Sequence, residues 1–309
     1  MRFLPGWTLI VTCVLLPFRG TGAINVSEAI EIGGIQQWIS LKGDQENGPV
    51  ILFLHGGPGS SAMAHADAYT RELQKHFVVV QWDQRETGKT KGLNSTPVPL
   101  TVALMENDTF EMIRYLCERF SKDKIYIVGH SWGGFLGWMA AAKHPELIAG
   151  YFAINPMVHQ VESEQESLNV MKAKAKKENN QPAIDELAQV QVPFQNGEQL
   201  YFHRKWLANL MGTKPVSRSF VEAWAKTWLA VFNTAADVDF RIEAPEIKCP
   251  VYFFLGDHDY QTYYRIAEDY FKKLKAVKKE LIWFTGSDHL IPQTEPGKMQ
   301  ELIIRTILK

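Results

Sequence analysis

The six residues Gly129-His130-Ser131-Trp132-Gly133-Gly134 restrict the fold more than any other part of this 309-residue chain. They join an apolar run, Ile125–Val128, to a helical pattern over Phe135–Lys143. A strand that turns directly into a helix belongs to a sheet whose strands are connected by helical crossovers. Gly129 and Gly133 lack side chains that would collide where strand and helix pack closely. The rest of the chain repeats the alternation. Pro49–Leu54, Phe77–Trp82, Tyr151–Ile154, Val251–Leu255 and Leu281–Phe284 read as strands, and their continuous hydrophobicity fits burial on both faces. Helices fit Leu104–Phe120, Tyr264–Lys275 and Met299–Leu308. The expected class is α/β, with a mostly parallel central sheet flanked by helices. Between Asn155 and Glu243 the strand signal stops and helical periodicity with many charges takes over. This predicts a helical cap at 155–243, inserted into a core formed by 24–154 and 244–309.

The net charge of −1 leaves no broad basic face for nucleic acid. Two lysine-rich stretches, Met171–Lys177 and Phe271–Lys279, read as solvated faces of helices. At the start of the chain, Arg2, the apolar stretch Leu9–Phe18 and the small residues Thr21-Gly22-Ala23 have the pattern of a signal peptide over residues 1–23. The stretch falls short of the roughly twenty apolar residues that a membrane-spanning helix needs. The expectation is therefore a secreted or periplasmic protein, cleaved near Ala23, with no stable membrane insertion afterwards. Cys117 falls mid-helix and Cys249 just before a strand, so two buried thiols are expected rather than a disulfide.

Ser131 stands where a Gly-x-Ser-x-Gly turn exposes a nucleophilic hydroxyl. Upstream, His55-Gly56-Gly57-Pro58-Gly59 follows directly on a predicted strand. A loop of this kind can present a bare backbone N–H, and Gly57 is the expected donor. Together with the N–H of Trp132 it would form an oxyanion hole. A serine nucleophile also needs a base and an acid, in the chain order Ser, acid, His. Two later predicted strands end in Gly256-Asp257-His258-Asp259 and Thr285-Gly286-Ser287-Asp288-His289, at the sheet edge that carries Ser131. His289 is the expected base and Asp259 the favoured acid, with Asp257 as the alternative; Asp288 is read as solvated, and His130 as bonding locally. No metal or other cofactor is implied, because the chain has no His-Glu-x-x-His and no cysteine cluster of ligand spacing.

These residues resemble the proline iminopeptidases and their relatives among the α/β hydrolases. The resemblance rests on His55-Gly-Gly-Pro-Gly59, Trp82-Asp83-Gln84-Arg85, Gly129-His-Ser-Trp-Gly-Gly134 and the order Ser131, Asp259, His289. It covers the chain after the leader, with the cap matching in size and helical character only. It implies an α/β-hydrolase fold and removal of an N-terminal residue, often proline, from short peptides through an acyl-enzyme. It also implies acidic cap residues that bind the free α-amine, for which Glu162 and Glu164 are the candidates. Glu166 lies on the same stretch. Two features depart from the family pattern: Glu86 stands where the family usually has glycine, although Gly88 keeps the next one, and Val221–Trp228 only loosely echoes the usual tryptophan–glutamate pattern of the cap.

The leading expectation is thus an exported serine aminopeptidase acting on a short peptide or other small molecule. A second reading keeps the same three residues but takes an ester, amide or lactone, since fold alone does not fix substrate. A third, a binding protein that has lost activity, predicts a broken set of catalytic residues, whereas Ser131, Asp259 and His289 stand in order.

Overall fold

The computed structural model describes residues 22–94 and 99–309. The leader expected over 1–23 lies outside the described residues except for Gly22 and Ala23. Eight strands form the main sheet: β1 Ile24–Ile32, β2 Ile35–Gly43, β3 Val50–Leu54, β4 Val78–Asp83, β5 Ile125–His130, β6 Ile148–Ile154, β7 Val251–Gly256 and β8 Lys279–Phe284. Their spatial order is β1-β2-β4-β3-β5-β6-β7-β8. The β1/β2 and β2/β4 pairs are antiparallel and the remaining pairs are parallel. This is the mostly parallel α/β architecture that the alternation predicts.

The apolar strands are continuous because both faces of the sheet are covered. Along β3, Val50, Leu52 and Leu54 pack into one core, while Ile51 and Phe53 pack into the other. Helices α1 Ala66–Gln74, α2 Val102–Arg119 and α3 Trp132–Lys143 lie within the core half of the chain. The helix α2 begins where the Thr101 hydroxyl accepts from the N–H of Leu104 at 3.1 Å, and it buries Met105, Met112, Ile113 and Leu116. Its buried residues join the first core, and those of α1, Tyr69 and Leu73 among them, join the second.

Between β6 and β7 the chain forms helices α4 Gln160–Lys177, α5 Gln181–Ala188, α6 Gly197–Met211, α7 Arg218–Ala236 and α8 Phe240–Glu243. They are followed by α9 Tyr264–Lys273, after β7, and α10 Pro296–Ile307, after β8. No helix among the described residues is long and apolar enough to cross a membrane. Cys117 and Cys249 are both buried free thiols, as expected.

Two features differ from the sequence reading. The lysine-rich stretch Phe271–Lys279 is helical only as far as Lys273. Leu274 leaves helical geometry at φ −58° and ψ 131°, and Lys279 Nζ donates to the carbonyls of Phe271 at 2.6 Å and Leu274 at 2.7 Å, meeting acceptors at the end of the helix. Strands are also expected only from Pro49 onward, whereas the described residues begin with the β1–β2 hairpin. Most residues of β1 between Ile24 and Ile32 are exposed or half-buried, which leaves a weak apolar signal. The turn itself is more distinctive: Gly33 and Gly34 take φ +59° and +72° between the paired Ile32 and Ile35, as a two-residue hairpin turn requires.

The two glycines are not equivalent. A Cβ on Gly33 would lie 1.9 Å from Asp108 Oδ1 and 2.4 Å from Arg85 Nη2, whereas one on Gly34 would meet nothing within 4 Å. Gly34→Ala is expected to cost about 1 kcal/mol, from backbone strain alone. Gly33→Ala should cost at least ~2 kcal/mol more, because it also displaces a buried ion pair. Equal losses in denaturant unfolding would show that the turn does not carry that pair.

Candidate active site

Ser131 sits between β5 and α3 with φ 56° and ψ −116°, a strained conformation for a residue with a side chain. Close packing holds it there. A Cβ on Gly133 would lie 1.8 Å from the carbonyl oxygen of Leu54, the last residue of β3. The first turn of α3 therefore rests directly on the end of β3, beside the His55–Gly59 loop. Amides at the start of a helix have no partner within it, and Trp132 N–H is the first of α3. Gly57, at φ +119°, and Ser131 both line the two cavities at this edge of the sheet.

A buried network joins the two loops through Gln84. Its backbone N–H donates to His55 Nε2 at 3.3 Å, its Nε2 donates to the His55 carbonyl at 3.3 Å, and its Oε1 accepts from Trp132 Nε1 at 3.0 Å. The His55 ring consequently carries its proton on Nδ1, which donates to the Gly56 carbonyl at 2.8 Å. The neighbouring Asp83 accepts from Ser61 Oγ at 2.5 Å and from the N–H of Lys89 at 2.8 Å. Glu86 adopts φ 55°, which suits the glycine usual at that position, and it does not line either cavity at Ser131.

His289 Nδ1 donates to Asp259 Oδ2 at 2.9 Å, with both side chains buried. Asp259 also accepts from the N–H groups of Gln261 at 2.8 Å and Thr262 at 3.1 Å, and from the Thr262 hydroxyl at 2.6 Å. Burial alone would raise the Asp259 pKa. The charge and hydrogen bond of His289, with those from Thr262, outweigh it and hold the group below its ordinary value. Asp257 instead accepts from the Gly286 N–H at 2.7 Å and lies beside the exposed His258. Asp288 accepts from the Leu290 N–H at 2.8 Å. Of the three aspartates, Asp259 is therefore the one bonded to the His289 ring. Its Nε2 is left for a donor in the cavity that His289 and Ser131 share.

His130 bonds locally: its Nε2 donates to the His289 carbonyl at 2.8 Å, and the two rings lie 4.9 Å apart. Asn155 joins three loops. Its Nδ2 donates to the Asp288 carbonyl at 3.0 Å, its Oδ1 accepts from Gly256 N–H at 2.9 Å, and its own carbonyl accepts from the Thr262 hydroxyl at 3.0 Å. Sequence reading missed the roles of Asn155, Thr262 and Gln84. Their available signal was position: each lies within a few residues of a strand end at the carboxyl edge of the sheet.

Two cavities meet at Ser131, sharing Gly57, Ser60, Ser131 and Gln261. The first, about 260 Å³, contains His289, His130, His55 and Gln81. The second, about 180 Å³, lies against the helices between β6 and β7 and includes Leu200, Val221, Trp224 and Phe232. In α7, Trp224 Nε1 donates to the Pro58 carbonyl at 2.7 Å, and a Cβ on Gly59 would lie 2.3 Å from Trp228 Nε1. Helix α7 thereby packs on the glycine loop.

Glu162 and Glu164 are not among the residues lining these cavities. Glu162 accepts from Arg241 Nη2 and pairs with His159 Nδ1 at 3.0 Å. Glu164, 1% exposed, is gripped by Arg204 through Nη1 at 2.6 Å and Nη2 at 2.5 Å. Glu166 is half-buried on the same helix. Among the described residues, no group of three or more His, Cys, Asp or Glu side chains is arranged to hold a metal ion.

Three buried histidines are held below the ordinary histidine value. Burial does so for His55; burial and the charge of His289 take His130 to about 3; burial, aided by Arg204 against Glu164, takes His203 to about 4. These rings stay neutral in the folded chain while the unfolded chain protonates them near 6.5. The unfolded state then binds more protons, and stability present above that pH is lost on acidification. The denaturation midpoint should fall as pH drops below about 6.5, and His130→Gln should flatten that fall down to about pH 3. An unchanged slope in the variant would show that His130 takes up its proton when folded.

Residues 49–306 match the α/β-hydrolase-fold family model. A Bacillus subtilis protein named "Probable aminopeptidase YbaC" is 25% identical over 92% of this chain and 96% of its own length. A proline iminopeptidase of Heyndrickxia coagulans is 24% identical over 86% of this chain and 93% of its own. The crystal structure of a Mycobacterium smegmatis proline iminopeptidase superposes with a TM-score of 0.65 at 17% identity, covering 92% of this chain and 98% of that one. The chain belongs to the α/β-hydrolase-fold family and is one of its hydrolases.

Proposed function

We propose that this hydrolase is a serine aminopeptidase that releases an N-terminal residue, proline or another small one, from short peptides. The observation that carries the acyl-transfer chemistry is the meeting of Ser131 and the His289–Asp259 pair at one cavity. The peptide reading is supported by similarity over almost the whole chain to aminopeptidase-named relatives. The leader-like pattern over residues 1–23 supports export to the periplasm or beyond.

In this mechanism Ser131 Oγ attacks the carbonyl carbon of the N-terminal residue while His289 Nε2 takes the hydroxyl proton. The oxygen gains negative charge and accepts from the N–H groups of Gly57 and Trp132. Asp259 orients the ring and stabilises its charged form. The C–N bond breaks as His289 returns the proton to the departing amine, leaving an ester on Ser131. A water deprotonated by His289 then cleaves the ester, freeing the amino acid and restoring the serine hydroxyl.

A second reading, hydrolysis of an ester or amide without a free amine, is favoured by one observation. Glu162 and Glu164, the carboxylates expected to receive an ammonium, are already paired with Arg241 and Arg204. Prolyl and alanyl anilides, an amine-blocked prolyl anilide and a short-chain ester separate the two readings. Loss of turnover on blocking the amine is the aminopeptidase outcome, and ester turnover indifferent to an amine rejects it. Ser131→Ala should abolish whichever activity is found. Asp259→Asn should lower kcat by about 10⁴-fold, and Asp257→Asn by no more than a few-fold. A reversed pair of effects would overturn the choice of acid.

A further inference from the structure

Gln160 opens α4, is 2% exposed, and lines the cap-side cavity next to Ser131. Both hydrogens of its amide nitrogen are used: Nε2 donates to Glu164 Oε1 at 2.8 Å and to the Gln261 carbonyl at 2.8 Å. Both partners are acceptors, which fixes the orientation of the amide. Oε1 of Gln160 is then left buried with no donor. An unmet buried acceptor on a residue that lines a cavity is a place where a bound molecule can complete the bond.

The surroundings define that molecule further. Glu164 cannot present a free charge, since Arg204 holds both of its oxygens. Arg204 itself lines the cavity, together with the apolar Leu200, Val221 and Phe232. The other titratable groups around Gln160 are likewise engaged. His203 contacts Glu164; His159 and Glu162 lie with Arg241 and Asp239; and Asp259 and His289 pair beyond Gln261. An ammonium entering this lobe would find a cation and no unpaired carboxylate, an unfavourable burial. A neutral N–H donor would find one free oxygen, strengthened because its own amide donates to a carboxylate.

We propose that Gln160 Oε1 accepts from the α-amine of the residue being released, and that the amine is bound in its neutral form. This rests on the aminopeptidase reading and specifies it. Glu164 is then a positioning residue that acts through Gln160 and makes no contact with the substrate. An α-amine with a pKa of about 7.7–8.0 supplies enough of the neutral form near neutral pH.

The test compares prolyl 4-nitroanilide with cyclopentanecarbonyl 4-nitroanilide, which has the same ring without the nitrogen. The full chain is used, with Gln160→Leu and Gln160→Glu. In the wild type, kcat/KM for the prolyl substrate should rise with pH through a limb near the amine pKa that the ring analogue lacks. The analogue reports the enzyme's own pH dependence. Gln160→Leu should lower kcat/KM for the prolyl substrate about tenfold and leave the analogue unchanged. Gln160→Glu should remove the limb, since a carboxylate can receive the ammonium. Equal losses on both substrates, or no separate limb, overturn the assignment. Labelling of Ser131 by a fluorophosphonate separates the levels of failure. No labelling of the wild type rejects the acyl-enzyme reading and this assignment with it. Labelling without turnover of prolyl or alanyl 4-nitroanilide rejects the aminopeptidase reading and the role of Gln160; where only the alanyl substrate turns over, propanoyl 4-nitroanilide serves as its nitrogen-free analogue. Labelling and prolyl turnover without amine discrimination reject the Gln160 assignment alone.

Discussion

The site depends on one close approach, that of the first turn of α3 to the end of β3. Only a residue without Cβ fits at Gly133, where a side chain would begin 1.8 Å from the Leu54 carbonyl. This contact sets the Trp132 amide and the His55–Gly59 loop side by side, and it keeps Ser131 in a conformation that a free chain would leave. The Ser131 N–H donates to Ile154 O at 3.1 Å, and its carbonyl accepts from Phe135 N–H at 3.1 Å and Met157 N–H at 3.2 Å. Strain at the serine is thus held by backbone bonds from β6, from α3 and from the segment that leads into α4. The cost is met by the whole edge of the sheet, and not by the turn alone.

From that fixed point the polar partners are built outward. Asn155, at φ 39°, follows β6 and bonds to both downstream loops, the one carrying Asp259 and the one carrying His289. Thr262 locks the Asp259 carboxylate, and His130 holds the His289 backbone. Burial would otherwise favour the neutral acid, so the low pKa of Asp259 is a product of these neighbours. The acid, the ring and the serine come from three strand ends that are far apart in sequence, and the parallel sheet is what gathers them on one edge.

How much of this was legible in the sequence follows from the range of each interaction. The strands of the parallel sheet were readable because burial on both faces writes continuous apolar runs, as in Val251–Leu255. The elbow and the glycine loop were readable because backbone geometry there excludes side chains. Asp259 was only favoured over Asp257, since two aspartates two residues apart differ in orientation and not in residue type. The β1–β2 hairpin escaped notice because a half-exposed edge carries little apolar signal, although Gly33-Gly34 marked its turn. Glu162 and Glu164 were legible as charges, but their commitment to Arg241 and Arg204 was not. Those arginines lie 79 and 40 residues further along, on other helices. Gln160 carried no signal at all: a neutral side chain becomes informative only once its partners are known.

The run Trp82-Asp83-Gln84-Arg85 ties this edge of the sheet to its surroundings. Each of its four side chains holds a different segment. Trp82 Nε1 donates to Gln37 Oε1 at 2.9 Å in β2, and Asp83 receives Ser61 beyond the glycine loop. Gln84 ties His55 to Trp132. Arg85 pairs with Asp108 of α2 at 2.8 Å and donates to the Gly33 carbonyl at 2.8 Å, closing the hairpin onto the core. A Cβ on Gly88 would lie 2.2 Å from Asp83 Oδ2, so the retained glycine serves the same network. Glu86 follows this run at φ 55° and pairs with Lys91 at 3.8 Å. A strand–turn–helix can be built from many sequences. Four consecutive residues that fix the hairpin, the glycine loop, the turn at Ser131 and a core helix leave few alternatives.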